Sequence, residues 1–369
     1  MVRHVAIWSV IMTLLACFPA GVRPGLAGPG QQNKAGKKQG WESVWDSPGF
    51  EASIRSLSGA VDIERMSRSL FHLAKAPLPY RKLNFTLPGH AKNTLEEADD
   101  FIAGKLESWG YSVQREAVRV QAFRRDTRKP KRDQYSPPMP NDPWYTAHNL
   151  YAERKGRSHP DEIILLLAHK DSQSWIDSPG ANDNAIGTVS VLEMACVLAN
   201  HTPERTIRFL FCNEEHTPWT SVTAAQNAKK RGDRIIAVLN IDGVGGKPVA
   251  QKAGAKQTNV TAYTRPEGAW LAELMSAVNA RFAMGLDQRI VQRTSPGDDD
   301  GSFVNAGYPA AIINIGSWPY GDPNYHSEGD IPENSDVPNA AKAVQATLAA
   351  VLTVDQESAT PATDGSPRE

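Results

Sequence analysis

The sequence predicts an α/β fold: a mostly parallel mixed sheet sandwiched by helices, in a single domain. Three observations predict it. Four short apolar runs have the length and β-branching of strands buried on both faces, helical spacing recurs between or after them, and 369 residues at 40% hydrophobic and 22% charged suffice for one large core. The runs are EIILLLAH at 162–169, TIRFLFC at 206–212, RIIAVLNI at 234–241 and AAIINI at 310–315. Helical patterns follow at 184–199, 221–230, 268–282 and 340–352. Upstream, NTLEEADDFIAGKLESWGY carries Leu95, Ala98, Ile102 and Leu106 at helical spacing, with Thr94 and Glu97 as its expected capping box.

The flanks read differently. Arg3 and His4 precede an apolar stretch at 5–17 that is too short to span a bilayer, so residues 1–27 are expected to be an export signal and the protein periplasmic or extracellular. Cleavage would follow Ala20 or Ala27; alternatively LLAC, ending at Cys17, is a lipobox and Cys17 carries a lipid anchor. Residues 28–60, opening on a run rich in Gly, Gln and Lys, are expected to be a linker, 61–355 the folded domain, and the Ser, Thr, Pro and Asp residues of 356–369 a disordered tail. Charge is balanced, 40 basic against 41 acidic residues, which gives no reason to expect nucleic acid or an anionic membrane as partner. The basic run RRDTRKPKR at 124–132 reads as a solvated loop. Cys196 and Cys212 lie in apolar segments and are expected to be buried thiols.

In such sheets the functional crevice lies beyond the carboxyl ends of the strands. The first run ends in His169 and Asp171, the second in Glu214 and Glu215, the third in Asp242, and past the fourth come Tyr325 and His326. GANDNAIG at 180–187 adds Asp183. Each piece alone has a bland reading: a polar turn, a chance His-x-Asp pair, a solvated acidic turn, a helix cap, a loop histidine. Four strands delivering metal-ligand residue types to one edge is a different observation, since His-x-Asp on an extended segment lets the carboxylate orient the imidazole toward a metal.

The ordered segments HKDS, GANDNAIG, FCNEEH, LNIDGVG and YHSEGD resemble the signature of the M28 zinc peptidases, and TAHNLYAE resembles that family's Asn-containing strand. The likeness runs over 67–352. It implies a zinc-dependent exopeptidase fold and a di-zinc aminopeptidase that hydrolyses N-terminal peptide bonds through a water between the metals. His169 and Asp242 would bind one zinc, Glu215 and His326 the other, and Asp183 would bridge them. Glu214 would be the general base, Asp171 the partner of His169, and Tyr325 either a donor to the developing oxyanion or a packing aromatic. The donor chemistry agrees: three carboxylates and two imidazoles without sulfur suit an open catalytic site, and zinc, cobalt and manganese all accept them. Against two divalent ions these charges leave a surplus of about +1, which lowers the pKa of a bridging water.

Two segments depart from the family pattern. HTPWTS at 216–221 replaces a glycine-containing loop after the glutamate pair, which leaves substrate preference open. GDDDGSF at 297–303 is either an acidic rim for a substrate's free amine or an exposed turn. The alternatives for function are a carboxypeptidase, with Arg265 or Arg293 as carboxylate anchor, a one-zinc glutaminyl cyclase, which the full ligand set opposes, and an inactive binding homologue.

Overall fold

The computed structural model describes residues 40–126, 128–129 and 135–357. The expected export segment with Cys17 and nearly all of the expected tail lie outside these residues. The helices are α1 (Trp41–Trp45), α2 (Phe50–Gly59), α3 (Ile63–Ala74), α4 (Thr94–Ser108), α5 (Ile186–Val197), α6 (Thr220–Arg231), α7 (Val249–Ala253), α8 (Ala269–Arg281), α9 (Asp298–Asn305) and α10 (Val337–Gln356). The strands are β1 (Gln114–Ala122), β2 (Arg124–Arg125), β3 (Tyr135–Ser136), β4 (Tyr145–Arg154), β5 (His159–His169), β6 (Arg205–Cys212), β7 (His216–Thr217), β8 (Arg234–Ile241), β9 (Thr258–Tyr263), β10 (Asp287–Gln292) and β11 (Ala311–Ile315). Among these residues no helix is long and apolar enough to cross a membrane.

Nine strands form one mixed sheet in the order β10-β9-β11-β8-β5-β6-β4-β1-β7. The four apolar runs are its centre: β11, β8, β5 and β6 pair in parallel, so their carboxyl ends emerge on one edge. Side chains alternate between faces, as the period of two requires. Ile164, Leu166 and Ala168 join Phe209, Leu239 and Ile312 under α5, α8 and α10, whereas Leu165, Leu167, Leu210 and Val238 pack under α6 and α9. Helices on both faces explain why these strands read as unbroken apolar runs.

Four expectations need correction. The linker does not extend to residue 60: Trp41, Trp45, Phe50 and Ile54 on α1 and α2 are buried in the main core, because widely spaced large apolar residues bury a helical stripe even in a polar stretch. The capping box of α4 is Asn93 with Glu96, one residue earlier than expected, since the Asn93 oxygen accepts the Glu96 amide at 2.9 Å while Thr94 turns inward. Cys196 is only half-buried, unlike Cys212. Asp299 and Asp300 are fully buried in the first turn of α9, so GDDDGSF is not an exposed turn.

Candidate metal centre

Each central strand places its side chains at the sheet edge by ending there. β5 ends in His169, β6 leads through Asn213 into Glu214 and Glu215, and β8 leads into Asp242. Lys170 and Asn213 stitch the first two ends together. The Lys170 ammonium, wholly buried, donates to Asn213 Oδ1 at 2.7 Å and pairs with Asp99 of α4 at 2.9 Å.

GANDNAIG folds as a kinked turn at 181–185, with non-helical backbone at Asp183 and Asn184, and runs into α5. Gly180 opens it at φ 60°, and a Cβ there would stand 2.4 Å from the Asp183 carbonyl oxygen, so glycine is required for shape and for space. The buried Arg81 guanidinium donates to the carbonyls of Lys170, Pro179 and Gly180, which ties this turn to β5; burial holds its pKa down to about 10. Asp330 accepts the amides of Asn182 and Asp183 at 2.7 and 3.1 Å. Burial pushes the Asp330 carboxyl up to about 8, against the Asn182 amide that donates to it. Asn182 donates to Asp322 at 2.7 Å, and Asn184 donates to the Ile241 carbonyl at 2.9 Å while accepting from the Gly187 amide. The asparagines on either side of Asp183 therefore clamp its backbone to the chain on both sides. A Cβ on Gly187 would lie 2.2 Å from Ile241 O, so α5 approaches β8 only because this residue is glycine.

The five expected ligands converge. Two groups have donor atoms within 4.8 Å of one another: His169, Glu214 and Asp242, and Asp183, Glu215 and His326. Asp183 spans them, with Oδ1 3.2 Å from His169 Nε2 and Oδ2 2.9 Å from His326 Nε2. Asp242 Oδ2 is 3.7 Å from His169 Nε2, and Glu215 Oε1 is 3.5 Å from His326 Nε2. Glu214, expected as the base, also lies within ligand reach of the first group. Tyr325 stacks on the His326 ring, centroids 3.7 Å apart, and meets Tyr320 edge-on at 5.2 Å.

Asp171 orders the edge. Its Oδ1 accepts His169 Nδ1 at 3.2 Å and the Glu214 amide at 2.9 Å; its Oδ2 accepts the Glu215 amide and His216 Nδ1, both at 2.8 Å. Burial works against its ionisation, yet hydrogen bonds from His169 and His216 hold the carboxyl well below the usual range. Sequence reasoning missed His216, Lys170, Arg81 and Asp330 as supports, although Lys170 in HKDS, His216 in FCNEEH and Asp330 in YHSEGD all stood in quoted motifs.

The donor set fits divalent cations. Glu214 Oε2 and Glu215 Oε2 are buried with no hydrogen-bond partner among the described residues, an arrangement costly unless a cation occupies the space they face. Burial, Asp299 and Asp298 push the Glu214 carboxyl well above its ordinary value, and burial pushes Asp242 up to about 7 against the nearby His169. Despite burial, Asp183 and Glu215 drive the His326 imidazole up to about 10. The field at this edge calls for positive charge, and cation binding would displace these protons.

A curated probable zinc metalloprotease of Pyrenophora teres f. teres is 28% identical over 198 residues, 45% of this chain and 41% of that protein. The chain thus spans about two fifths of that relative's length. Two solved structures share the fold. An aminopeptidase from Aneurinibacillus sp. strain AM-1 superposes with TM-score 0.61 at 16% identity, over 81% of this chain and 95% of that one. A Bacteroides thetaiotaomicron glutaminyl cyclase superposes with TM-score 0.60 at 17% identity, over 79% and 98%. The sequence profile of Peptidase family M28 matches residues 149–352, more than half of the chain and the whole stretch that supplies the converging side chains, and the chain belongs to that family.

Proposed function

We propose that this protein is an exported di-zinc aminopeptidase. The observation that carries the reading is Asp183, one carboxylate whose two oxygens face two imidazoles from different donor groups. His169 and Asp242 would hold one ion, Glu215 and His326 the other, with Asp183 between them. When bound, the ions supply Lewis acidity and a water that is nucleophilic near neutral pH. Glu214 would take a proton from the attacking water and return it to the leaving amine, and its Oε2, buried with no hydrogen-bond partner among the described residues, is the atom available for both transfers. Asp171 keeps the His169 ring facing the centre and holds the backbone of the glutamate pair. Tyr325, stacked flat on the His326 ring, either packs that imidazole or offers its hydroxyl to the developing oxyanion.

A peptide with a free amine fits better than one anchored by its carboxylate. Arg293, the buried candidate for holding a carboxylate, is already engaged by Asp298 and Asp300, and the carboxylates of Asp298 and Asp299 act on Glu214. The fold suits aminopeptidase and cyclase alike, so the second full donor group is what favours the former. The test is a panel of aminoacyl, amino-blocked, carboxy-terminal and N-terminal glutaminyl substrates, assayed before chelation, after it and after zinc is restored, with zinc counted per chain. Two zincs and turnover of free-amine substrates alone are expected. One zinc with release of ammonia from glutaminyl peptides would replace this reading with the cyclase.

A further inference from the structure

His216 stands at the first position of the segment that departs from the family pattern, and its side chain does not face the substrate side at all. It is wholly buried beneath Asp171. Its Nδ1 lies 2.8 Å from Asp171 Oδ2, and its Nε2 is 3.5 Å from the Leu83 amide. That amide only donates, so Nε2 accepts and the ring proton sits on Nδ1, directed at the carboxylate. The backbone of His216 is fixed independently, because β7 pairs antiparallel with Ala122 and Gln121 of β1. The imidazole therefore comes from a segment stitched to the sheet edge and reaches inward to the one carboxylate that orders the donor groups.

We propose that His216 is a positioning residue for the metal centre, acting through Asp171. The Asp171 carboxylate must hold a plane in which Oδ1 meets both His169 Nδ1 and the Glu214 amide while Oδ2 meets the Glu215 amide. Without a donor at the His216 position, Oδ2 keeps one amide. The carboxylate then keeps three of its four donors, but with Oδ2 held by a single amide it can tilt, carrying with it the His169 ring and the turn that aims Glu214 and Glu215. The assignment rests on the metal-centre reading above. Groups that hydrogen-bond a metal ligand directly, as Asp171 does His169, typically account for about 10- to 100-fold in metal affinity, and His216 acts one hydrogen bond behind that.

The experiment compares His216→Asn with its isostere His216→Leu in the full-length protein. The Asn amide nitrogen takes the place of Nδ1 and keeps a donor toward Asp171; Leu keeps the volume and removes the donor. Zinc dissociation constants come from competition with a chromophoric chelator, alongside kcat, KM and thermal midpoint. His216→Leu is expected to weaken the ion held by His169 and Asp242 by about 10-fold, the low end of the range for a direct partner of a ligand, and to lower kcat with KM within about threefold, and His216→Asn to stay within about threefold of wild type in zinc affinity. Equal zinc affinity in both variants, whether retained or lost, would overturn the assignment, even if both melt earlier. Should His216→Leu not fold, His216→Gln, whose amide sits one bond farther out, takes its place under the same criteria. A wild-type chain that takes up no zinc would overturn the metal centre together with this assignment, an outcome distinct from the other two.

Discussion

The two ends of β5, β6 and β8 use charge in opposite ways. At their amino ends, Glu162 of β5 sits between Arg205 of β6, at 2.5 Å, and Arg234 of β8, at 2.9 Å. Arg205 also donates to the carbonyls of Val354 and Asp355, and Asp355 accepts the amides of Glu204 and Arg205. Each carboxylate there has a donor within the protein. At the carboxyl ends of the same strands, buried oxygens of Glu214 and Glu215 have none among the described residues, and burial raises the carboxyls of Glu214, Glu215 and Asp242 together. Over the roughly 20 to 30 Å from one end of these strands to the other, buried carboxylates go from matched to unmatched, which is what a site completed by a cation from outside would leave. Charge at one end joins strands, and at the other it is held in reserve for ligands.

The sharpest way to break this contrast is at Glu214. Glu214→Gln keeps size and removes the proton acceptor, so turnover is expected to fall by about two or more powers of ten with zinc content unchanged. Steady-state rates on a free-amine substrate together with a zinc count check it. A fall in both would instead make Glu214 the third ligand of the first donor group, a role its distance also allows. Next is the paired end. Arg205→Met leaves Glu162 with the exposed Arg234 alone, and removal of one partner from a buried pair typically costs about 3 kcal/mol or more. Denaturant unfolding measures it, and zinc affinity is expected to stay within about twofold. A change in metal binding would mean that the two ends communicate along the sheet.

The same contrast explains what was legible in the sequence. The central strands were readable because both of their faces are covered, which writes an unbroken apolar run, and the site was readable because three of the four runs lead directly into residue types that bind metal. Five candidate ligands could be named, and their side chains do converge. What stayed hidden has mixed surroundings. β10 is DQRIVQ, mostly exposed at the sheet edge, and β1 is QREAVRVQA, half-exposed; neither writes a pattern distinct from a polar loop. α1 and α2 bury only a few large residues each in polar sequence. The supports were harder still. Nothing in HKDS distinguishes Lys170 from a solvated lysine, because its partner Asp99 lies 71 positions earlier and meets it only in the folded chain. His216 closes FCNEEH and opens the segment that departs from a glycine-bearing loop, and nothing in either marks it as the partner of Asp171.

Asp300 tests the middle ground, a carboxylate just behind the metal edge that does have a cation. It pairs with Arg293, yet burial outweighs that guanidinium and pushes the carboxyl up to about 7. The unfolded chain releases this proton near pH 4, so between about pH 4 and 7 the folded state binds it and the unfolded state does not. The contribution is therefore fully present below about pH 4 and is lost as pH rises through 7, with a slope of at most about 1.4 kcal/mol per pH unit. Asp300→Asn keeps the shape and cannot ionise, so the stability difference between wild type and variant is expected to shift against the wild type as pH rises from 5 to 7.5. Urea unfolding of both proteins across that range isolates the slope from every carboxylate they share. Parallel curves would mean that Arg293 keeps Asp300 ionised throughout, which would place it with the matched charges at the other end of the sheet rather than with the unmatched ones beside it.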